Sequence, residues 1–295
     1  MMDFLSNYNY PYSILGLAAK IEELNEISAQ QLNEKVLTNI FGLIDLTTLN
    51  STDTKAKVHN MCLKVNDIQK EYPFLPNVAA ICVYPSLVET VKSSLNAKGV
   101  GIASVAAGFP SSQTFLNIKT LESKQAVEKG ATDIDIVISI GAFLSGNYQL
   151  VFDEIAEIKD AIGNAHLKVI LETGALSDPL KIWEASIIAM NAGADFIKTS
   201  TGKMQPAATF DAAVVMVEAI RQHYKITGKK VGFKPAGGIS SSRDAVEYYT
   251  IVASILGQEW LNSKLFRIGA SSLANNLISD IIKLRTGELP VSSYF

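Results

Sequence analysis

Eight short apolar runs alternate with helical stretches along this chain, and this alternation restricts its fold more than any other feature. Apolar residues with the spacing of amphipathic helices lie between the runs, for example in 150–162, 209–224 and 242–256. Strands that alternate with helices form parallel sheets, and eight such units in 295 residues predict an α/β fold, the (β/α)8 TIM barrel. The predicted strands are 40–46, 79–84, 101–106, 133–138, 167–171, 194–198, 230–234 and 265–269.

The open, doubly wound sheet is the alternative architecture for this alternation. It usually carries a glycine-rich turn directly after its first strand. Here the first predicted strand ends in Asp-Leu-Thr-Thr-Leu, residues 45–49, which contains no glycine. The barrel is therefore the favoured fold.

We expect three parts in the chain. Residues 1–38, in which apolar residues recur at helical spacing, are expected to form an N-terminal helical extension that packs on the bottom of the barrel. Ser28 is the expected N-cap of the second helix in this extension. The catalytic barrel is expected to span 39–288, and residues 289–295 are expected to form a C-terminal tail.

The composition argues against several classes of function. A net charge of −3 argues against binding of nucleic acid, because such domains usually carry a strong excess of basic residues. Three histidines, far apart in sequence, do not predict a zinc site, and two cysteines make no disulfide framework. No stretch has the apolar length of a membrane helix, and the first residues do not resemble a signal peptide. We therefore expect a cytoplasmic protein that does not bind membranes.

Polar residues accumulate at the ends of the predicted strands. In a TIM barrel the active site lies at the carboxyl ends of the strands, so these residues predict a site there. They include Asp45, Thr47, Thr48, Tyr84, Asp133, Asp135, Glu172, Thr173, Lys198, Lys234, Ser271 and Ser272.

Two lysines end neighbouring predicted strands with matching orientation. Side chains alternate between the two faces of a strand, so Lys198 shares a face with Phe196, and Lys234 has the equivalent position in the next strand. If the bulky aliphatic positions meet the helices, both lysines point into the barrel mouth. Asp133 and Asp135 have the same parity as each other, so alternation does not decide which of them joins the lysines.

A pair of lysines in a cavity of low dielectric constant has a chemical consequence. The two like charges disfavour each other and desolvation acts in the same direction, so the pKa of one amine falls. A neutral lysine amine attacks carbonyl carbons to form a Schiff base, and a nearby carboxylate can carry protons. Lys198 is therefore a candidate nucleophile, with Lys234 as the neighbour that lowers its pKa.

Structural roles are the alternative for these residues. A lysine at a strand end often extends to solvent with its stem packed on the core. The aspartates of the fourth strand could equally form a structural ion pair with the lysines. Cys82 is expected to be a small buried core residue.

Two loops with glycines and a further lysine indicate a phosphate site. The stretch TSTGK does not match the ATP-binding P-loop, because Ile197 and Met204 stand at two positions that the motif restricts. The loops 235–240 and 269–273 follow the seventh and eighth strands, where barrels often bind phosphate with help from a helix N-terminus. Together with Lys203 they predict a phosphorylated substrate, and helix capping is the alternative role of their serines.

Seven motifs occur along the chain in the order IDLTTLN, AAICVYP, DIDIVI, VILETG, ADFIKTSTGK, VGFKPAGGIS and FRIGASSL. They closely resemble the motifs of the 2-deoxyribose-5-phosphate aldolase family, and the resemblance runs from about residue 40 to about residue 285. It implies a TIM barrel and a class I aldolase that reversibly cleaves 2-deoxy-D-ribose 5-phosphate to D-glyceraldehyde 3-phosphate and acetaldehyde. It also implies a lysine Schiff base without metal or cofactor, a role in deoxyribonucleotide catabolism, and a homodimer.

The resemblance implies roles for individual residues, motif by motif. Lys198 would be the Schiff-base lysine, Lys234 would perturb its pKa and join proton transfer, and Asp135 would be the relay carboxylate. Asp135 is thereby selected over Asp133, a choice that strand alternation left open. The substrate would be bound by Asp45 and Thr201 at its hydroxyls, and by Gly202, Lys203, Gly237, Gly238, Ser271 and Ser272 at its phosphate.

The chain departs from the family in its phosphate loop and its tail. Some relatives carry arginine where this chain has Ser240, and Arg243 is the candidate replacement. Some relatives use a terminal tyrosine that folds over the site, and Tyr294 is its candidate counterpart, with a disordered tail as the alternative. Two other functions also stay open: another Schiff-base lyase on a barrel, such as a transaldolase-like or keto-acid aldolase, and a non-catalytic barrel that binds sugar phosphates.

Overall fold

The structure is a computed structural model that describes residues 3–288, Pro290 and residues 293–295. The ends of the predicted extension and tail, at residues 1–2, 289 and 291–292, lie outside the described residues. The described chain contains a sheet of eight parallel strands. They are β1 (Ile44–Thr47), β2 (Ala80–Val83), β3 (Gly101–Val105), β4 (Asp133–Val137), β5 (His166–Ile170), β6 (Phe196–Lys198), β7 (Gly232–Lys234) and β8 (Ile268–Ala270).

This sheet curls into a nearly closed barrel. Strands β1 to β7 pair in chain order, and β8 pairs with β1. Two isolated bridges, from Phe233 to Phe266 and from Ala236 to Gly269, connect the two ends of the sheet. The predicted TIM barrel is confirmed.

Helices cover the outside of the barrel. Thr54, Thr209 and Ser241 begin three of them by accepting a hydrogen bond from a backbone N–H of the first turn. None of the helices within residues 3–288 is both long enough and apolar enough to cross a membrane. The helices are α1 (Ile14–Ala29), α2 (Glu34–Phe41), α3 (Lys55–Glu71), α4 (Val88–Ser94), α5 (Leu116–Glu128), α6 (Ile140–Leu144), α7 (Tyr148–Ala161), α8 (Thr173–Leu176), α9 (Pro179–Asn191), α10 (Phe210–Thr227), α11 (Ser242–Leu256) and α12 (Leu273–Thr286), with short 3-10 helices at Asp3–Asn7, Pro85–Leu87 and Gln258–Trp260.

The two faces of the strands differ in chemistry. Outward-facing side chains such as Ile134, Ile197 and Phe233 belong to the main hydrophobic core, which the helices share. Inside the barrel, β2 and β3 contribute a small apolar cluster around Cys82 and Val105. Most of the remaining interior is lined by buried charged side chains. The barrel interior is therefore apolar on one side and ionic on the other.

The N-terminal helices lie on the flank of the barrel. Helix α1 packs against α10 and α11, and α2 packs against α11 and α12, which differs from the expected cover at the barrel bottom. The expected cap Ser28 lies inside α1, and Asn33 caps α2 instead, because the helical pattern of α1 continues through Ser28. The predicted boundary at residue 38 falls within α2, and Ile40 and Phe41 of the predicted first strand belong to that helix.

Candidate active site

Lys198 and Lys234 lie side by side at the ends of β6 and β7. Both side chains are buried inside the barrel. Their ammonium nitrogens donate to the same carboxylate oxygen, Oδ2 of Asp135. The nitrogen of Lys198 lies 2.7 Å from this oxygen, and that of Lys234 lies 2.8 Å from it. The inward orientation follows from strand alternation, and the parallel register of the two strands brings the nitrogens to the same height.

The two lysines have pKa values that are shifted in opposite directions. Burial lowers the pKa of Lys198, and the charge of Lys234 lowers it further, against the attraction of Asp135. Burial also opposes the charge of Lys234, but Asp135 and Asp45 outweigh it and raise the pKa of Lys234. The second carboxylate makes the difference, because Lys234 Nζ also donates to Asp45 Oδ2 over 2.5 Å. Lys198 is thus the amine that loses its proton more easily.

Asp135 and Asp45 are fully buried carboxylates that stay ionised. Burial raises the pKa of Asp135, but Lys198 and Lys234 outweigh burial and hold that pKa well below its usual range. The same competition, in which Lys234 and Arg267 act against burial, lowers the pKa of Asp45 to about 2. Oδ1 of Asp135 has no hydrogen-bond partner among the described residues, so it can accept a hydrogen bond from a water molecule.

A second layer of charges, which was not predicted from the sequence, lies behind these residues. Lys168 in the middle of β5 is fully buried, and its Nζ donates to Asp133 Oδ1 over 2.6 Å. Arg267, directly before β8, donates from Nη1 to Asp45 Oδ1 over 2.6 Å. A charged residue within an apolar run, as in the sequence LKVIL, was the available signal for Lys168. Asp133 therefore pairs with Lys168, and Asp135 pairs with Lys198 and Lys234. The alternation of side chains along β4 did not distinguish the two aspartates.

A cavity of about 430 Å³ opens beside Lys198 at the carboxyl ends of the strands. Asp45, Asp135 and Lys234 do not line it and lie deeper in the barrel. A larger groove of about 700 Å³ between α1 and the first turns of α9 and α10 contains none of the candidate residues. The cavity brings together the candidate residues Lys198, Thr201, Gly202, Lys203, Gly237, Gly238, Ser271 and Ser272.

The loop after β6 is held by Glu172, a buried carboxylate for which the sequence predicted a place at a strand end but no role. Glu172 accepts from the hydroxyl of Thr201 over 2.6 Å and from its backbone N–H over 3.2 Å. Glu172 itself has a left-handed backbone with φ 55°. Lys203 follows in the same loop and donates from Nζ to the backbone carbonyl of Leu49 over 2.5 Å. This loop is therefore ordered by contacts within the protein.

The loops after β6 and β7 approach each other closely at glycines. Gly237 has φ 93°, and a Cβ atom added to it would lie 2.7 Å from Cβ of Ala207 and 3.1 Å from Cα of Gly202. A side chain at position 237 would therefore clash. Ser272 stands at the N-cap of α12, yet its side chain makes no cap hydrogen bond, so the capping alternative for this serine is not realised.

Two residues proposed to compensate for departures from the family lie away from the cavity. The Arg243 side chain is 78% exposed and pairs with Glu247 on α11 over 3.5 Å. It therefore does not replace an arginine at Ser240. The hydroxyl of Tyr294 donates to the backbone carbonyl of Lys64 on α3 at 2.8 Å, so this tyrosine does not lie over the cavity.

Cys82 is a buried core residue that lies close to the lysine pair. Burial raises the pKa of its thiol, which is near enough to Lys234, Asp135 and Lys198 to interact with their charges. Within the described residues, no group of three or more His, Cys, Asp or Glu side chains could hold a metal ion. The metal-free mechanism stays a prediction.

Comparison with known proteins gives one consistent result. Residues 40–277 match the family described as "DeoC/LacD family aldolase". The chain is 44% identical to a deoxyribose-phosphate aldolase of Homo sapiens, with 96% of this chain and 94% of the human protein covered. It is 40% identical to that of Mus musculus, with 93% of each covered. The solved "tetrameric structure of deoxyribose phosphate aldolase" from Aeropyrum pernix matches with a TM-score of 0.67 at 23% identity, covering 90% of this chain and 99% of that one, which supports the fold.

Proposed function

The chain belongs to the DeoC/LacD family of aldolases, and from this membership we propose that it cleaves 2-deoxy-D-ribose 5-phosphate reversibly to D-glyceraldehyde 3-phosphate and acetaldehyde through a Schiff base on Lys198. One observation carries the proposal. Two buried lysines, Lys198 and Lys234, share one oxygen of Asp135 beside a cavity lined by two loops of phosphate-binding type. This arrangement supplies an amine that can be neutral, a fixed cation and a proton carrier.

The first proposed step forms the Schiff base. The neutral amine of Lys198 attacks C1 of the open-chain sugar and forms a C–N bond. A proton moves from this nitrogen to the former carbonyl oxygen. A second proton joins that oxygen, which leaves as water, so that an iminium cation remains on Lys198. The lowered pKa of Lys198 supports this step, because only the neutral amine has the electron pair that attacks.

The second proposed step breaks the carbon skeleton. A base takes the proton of the C3 hydroxyl, the C2–C3 bond breaks, and the C3–O bond becomes the aldehyde of D-glyceraldehyde 3-phosphate. The electron pair of the broken bond moves into the C1–C2 bond, and the iminium becomes a neutral enamine. We assign the base to a water molecule bound by Asp135 and Lys234, because Asp135 Oδ1 has no other hydrogen-bond partner among the described residues.

The third proposed step releases acetaldehyde. The enamine takes up a proton at C2 and becomes an iminium again. Water then adds to C1, the C–N bond breaks, and acetaldehyde leaves with the amine of Lys198 restored and one proton returned to the site. Asp135 is suited to carry these protons, since it contacts both lysine nitrogens.

The substrate phosphate is proposed to bind at the far wall of the cavity. Ser271 and Ser272 stand at the N-terminus of α12, where free backbone N–H groups and the helix dipole attract an anion. Gly237 and Gly238 let the backbone approach a bound group closely. Lys203 lines the same cavity and adds a positive charge. Binding of the remote phosphate would hold C1 beside Lys198.

The apolar side of the barrel supports acetaldehyde over more oxygenated donors. The cluster with Cys82, Ala103 and Val105 lies on the side of the interior where β2 and β3 run. Cys82 is close enough to Lys198 to affect its pKa. A transaldolase-like donor carries additional hydroxyls, which would lose hydrogen bonds against such a wall. The homodimer and the cytoplasmic location stay predictions.

Borohydride trapping tests the proposed function directly. Wild-type protein is incubated with acetaldehyde, reduced, and the adduct is mapped by mass spectrometry, while cleavage of 2-deoxyribose 5-phosphate is followed in a coupled assay. We expect one adduct on Lys198 and its absence in Lys198→Ala. Lys35→Ala, at an exposed helix position, is the matched control and should label like wild type. Activity without an adduct, or loss of activity with a chelator, would contradict the proposed mechanism. If the wild-type protein shows neither activity nor an adduct, the result favours a sugar-phosphate-binding protein.

A further inference from the structure

Seven charged side chains lie together inside the barrel and are at most 7% exposed. We call this set the barrel ion cluster. It contains three carboxylates and four cations, so with every group ionised it carries one surplus positive charge. An uncompensated charge in a buried site is unfavourable, and release of one proton neutralises the set. The barrel ion cluster consists of Asp45, Asp133, Asp135, Lys168, Lys198, Lys234 and Arg267.

The contacts decide which cation releases that proton. Arginine does not deprotonate in proteins, which excludes Arg267. Lys234 contacts two carboxylates, at 2.5 Å and 2.8 Å. Lys168 lies 2.6 Å from Asp133, 3.5 Å from Asp135 and 3.7 Å from Asp45. Lys198 contacts Asp135 alone among the carboxylates of the cluster. It is therefore the lysine whose positive charge is stabilised by the fewest carboxylates, and the one that releases the proton.

We propose that Lys168 is a positioning residue for the aldolase reaction. Its positive charge makes the cations of the barrel ion cluster outnumber the carboxylates. Because of this surplus, Lys198 becomes the group that gives up a proton. This inference rests on the proposed Schiff-base function of Lys198. Lys168 does not line the cavity, and its side chain is fully buried, so it acts through the charges around it and not by touching substrate.

Other titratable groups also face the cluster or lie beside it. Cys82 on β2 is a neutral thiol, because burial raises its pKa. His166 on β5 lies 3.5 Å from Asp133, but its side chain is half exposed, and it adds a charge only when protonated. Lys203 at the cavity donates to the Leu49 carbonyl, and Glu172 is bonded to Thr201.

Two substitutions change the balance in opposite directions. Lys168→Met keeps an unbranched stem and removes one positive charge, so Lys198 can keep its proton in a balanced cluster. We expect the midpoint of the pH profile of kcat/KM to move up by about one unit or more, and activity at pH 7 to fall by about tenfold for each unit. Asp133→Asn removes one negative charge and should move the midpoint down. The double variant Lys168→Met/Asp133→Asn restores the surplus of one cation and should return the midpoint towards that of wild type.

A purely structural role for Lys168 predicts a different pattern. Loss of packing lowers activity at every pH without moving the midpoint. An unshifted midpoint in folded Lys168→Met, or a double variant that stays shifted, overturns the inference. If Lys168→Met does not fold, Asp133→Asn and the double variant decide it in the same way. Failure of wild-type protein to form the Lys198 adduct would instead remove the proposed function itself.

Discussion

Lys198 and Lys234 donate to one and the same carboxylate oxygen, yet their pKa values are shifted in opposite directions. The cause is the second partner of Lys234, Asp45, which Lys198 lacks. One carboxylate therefore holds side by side a lysine that is protonated at neutral pH and a lysine that loses its proton more easily. This asymmetry is what a Schiff-base enzyme needs, because the nucleophile must be neutral while its neighbour remains a proton donor.

Replacement of Lys234 tests its electrostatic effect on Lys198. In Lys234→Leu we expect kcat/KM at pH 7 to fall by about 100-fold or more, because Lys198 keeps its proton and an acid is lost. The activity lost at neutral pH should be partly recovered at alkaline pH. Full pH profiles of the variant, of wild type and of the exposed-site control Lys35→Leu check this. A variant with the wild-type profile would contradict the assigned role.

Replacement of Asp135 should separate Schiff-base formation from carbon–carbon cleavage. Asp135→Asn removes the charge that attracts protons to both lysines, so Lys198 should still form an adduct with acetaldehyde. Turnover of 2-deoxyribose 5-phosphate should fall by about 100-fold or more, because the proton carrier is gone. Trapping yield and turnover are measured on the same preparation. Equal losses in both would show that Asp135 acts only by placing Lys198.

The serines at the start of α12 should matter only for phosphorylated substrates. Each hydrogen bond to a charged group contributes about 1.5–3 kcal/mol, so we expect Ser271→Ala/Ser272→Ala to raise KM for 2-deoxyribose 5-phosphate by about tenfold or more. The kcat/KM for 2-deoxyribose without the phosphate should be unchanged and serves as the internal control. A similar loss for both sugars would place the phosphate elsewhere.

Gly237 and Gly238 form a matched pair for testing the close contact between the loops after β6 and β7. Both have positive φ, so alanine at either position costs about 1–2 kcal/mol in backbone strain. At Gly237 the added Cβ would also lie 2.7 Å from Ala207, whereas Gly238 faces open space. Urea unfolding and the KM should therefore both be affected more by Gly237→Ala than by Gly238→Ala. Equal effects would mean that the two loops separate without cost.

His223 should make the protein less stable in mild acid. Burial, with a smaller contribution from Lys229, lowers the pKa of His223 to about 4. Its Nδ1 lies 2.9 Å from the hydroxyl of Tyr8 in the N-terminal segment. The unfolded chain binds the proton more readily, so the free energy of unfolding should decrease as the pH falls from about 6.5 to about 4.

The variant His223→Gln isolates this contribution. Denaturant unfolding of wild type and variant is compared at several pH values. The difference between their free energies of unfolding should shrink or reverse as the pH falls, because the variant has no group to protonate at this position. A difference that is constant between pH 4 and 6.5 would contradict the prediction.

Strand alternation anticipated much of the site because it is a local property. Phe196 and Lys198 share a face in any strand, so the inward direction of the lysine follows once the strand is assigned. The same local pattern explains why the strands were predicted close to their observed positions. It failed at Ser28 and at Ile40, where the ends of helices depend on capping and packing and not on periodicity alone.

The residues that were missed depend on contacts between distant strands. Asp133 and Asp135 are equivalent in sequence pattern, and only the folded barrel places Asp133 against Lys168 and Asp135 against the pair Lys198 and Lys234. Lys168 and Arg267 have no motif that marks them as partners of Asp133 and Asp45. Their partnership exists because the barrel brings β1, β4, β5 and β8 around one axis.

By itself, the order of apolar runs determined the barrel, and the residue types at strand ends predicted a site of lysines, an aspartate and glycine-containing loops. The tertiary structure decided the proton balance, because charge interactions depend on distances of a few ångströms between strands far apart in sequence. Which amine can be neutral is therefore a property of the closed barrel. A sequence shows which charged residues exist, but only the folded chain sets the distances and the burial that determine how strongly they interact.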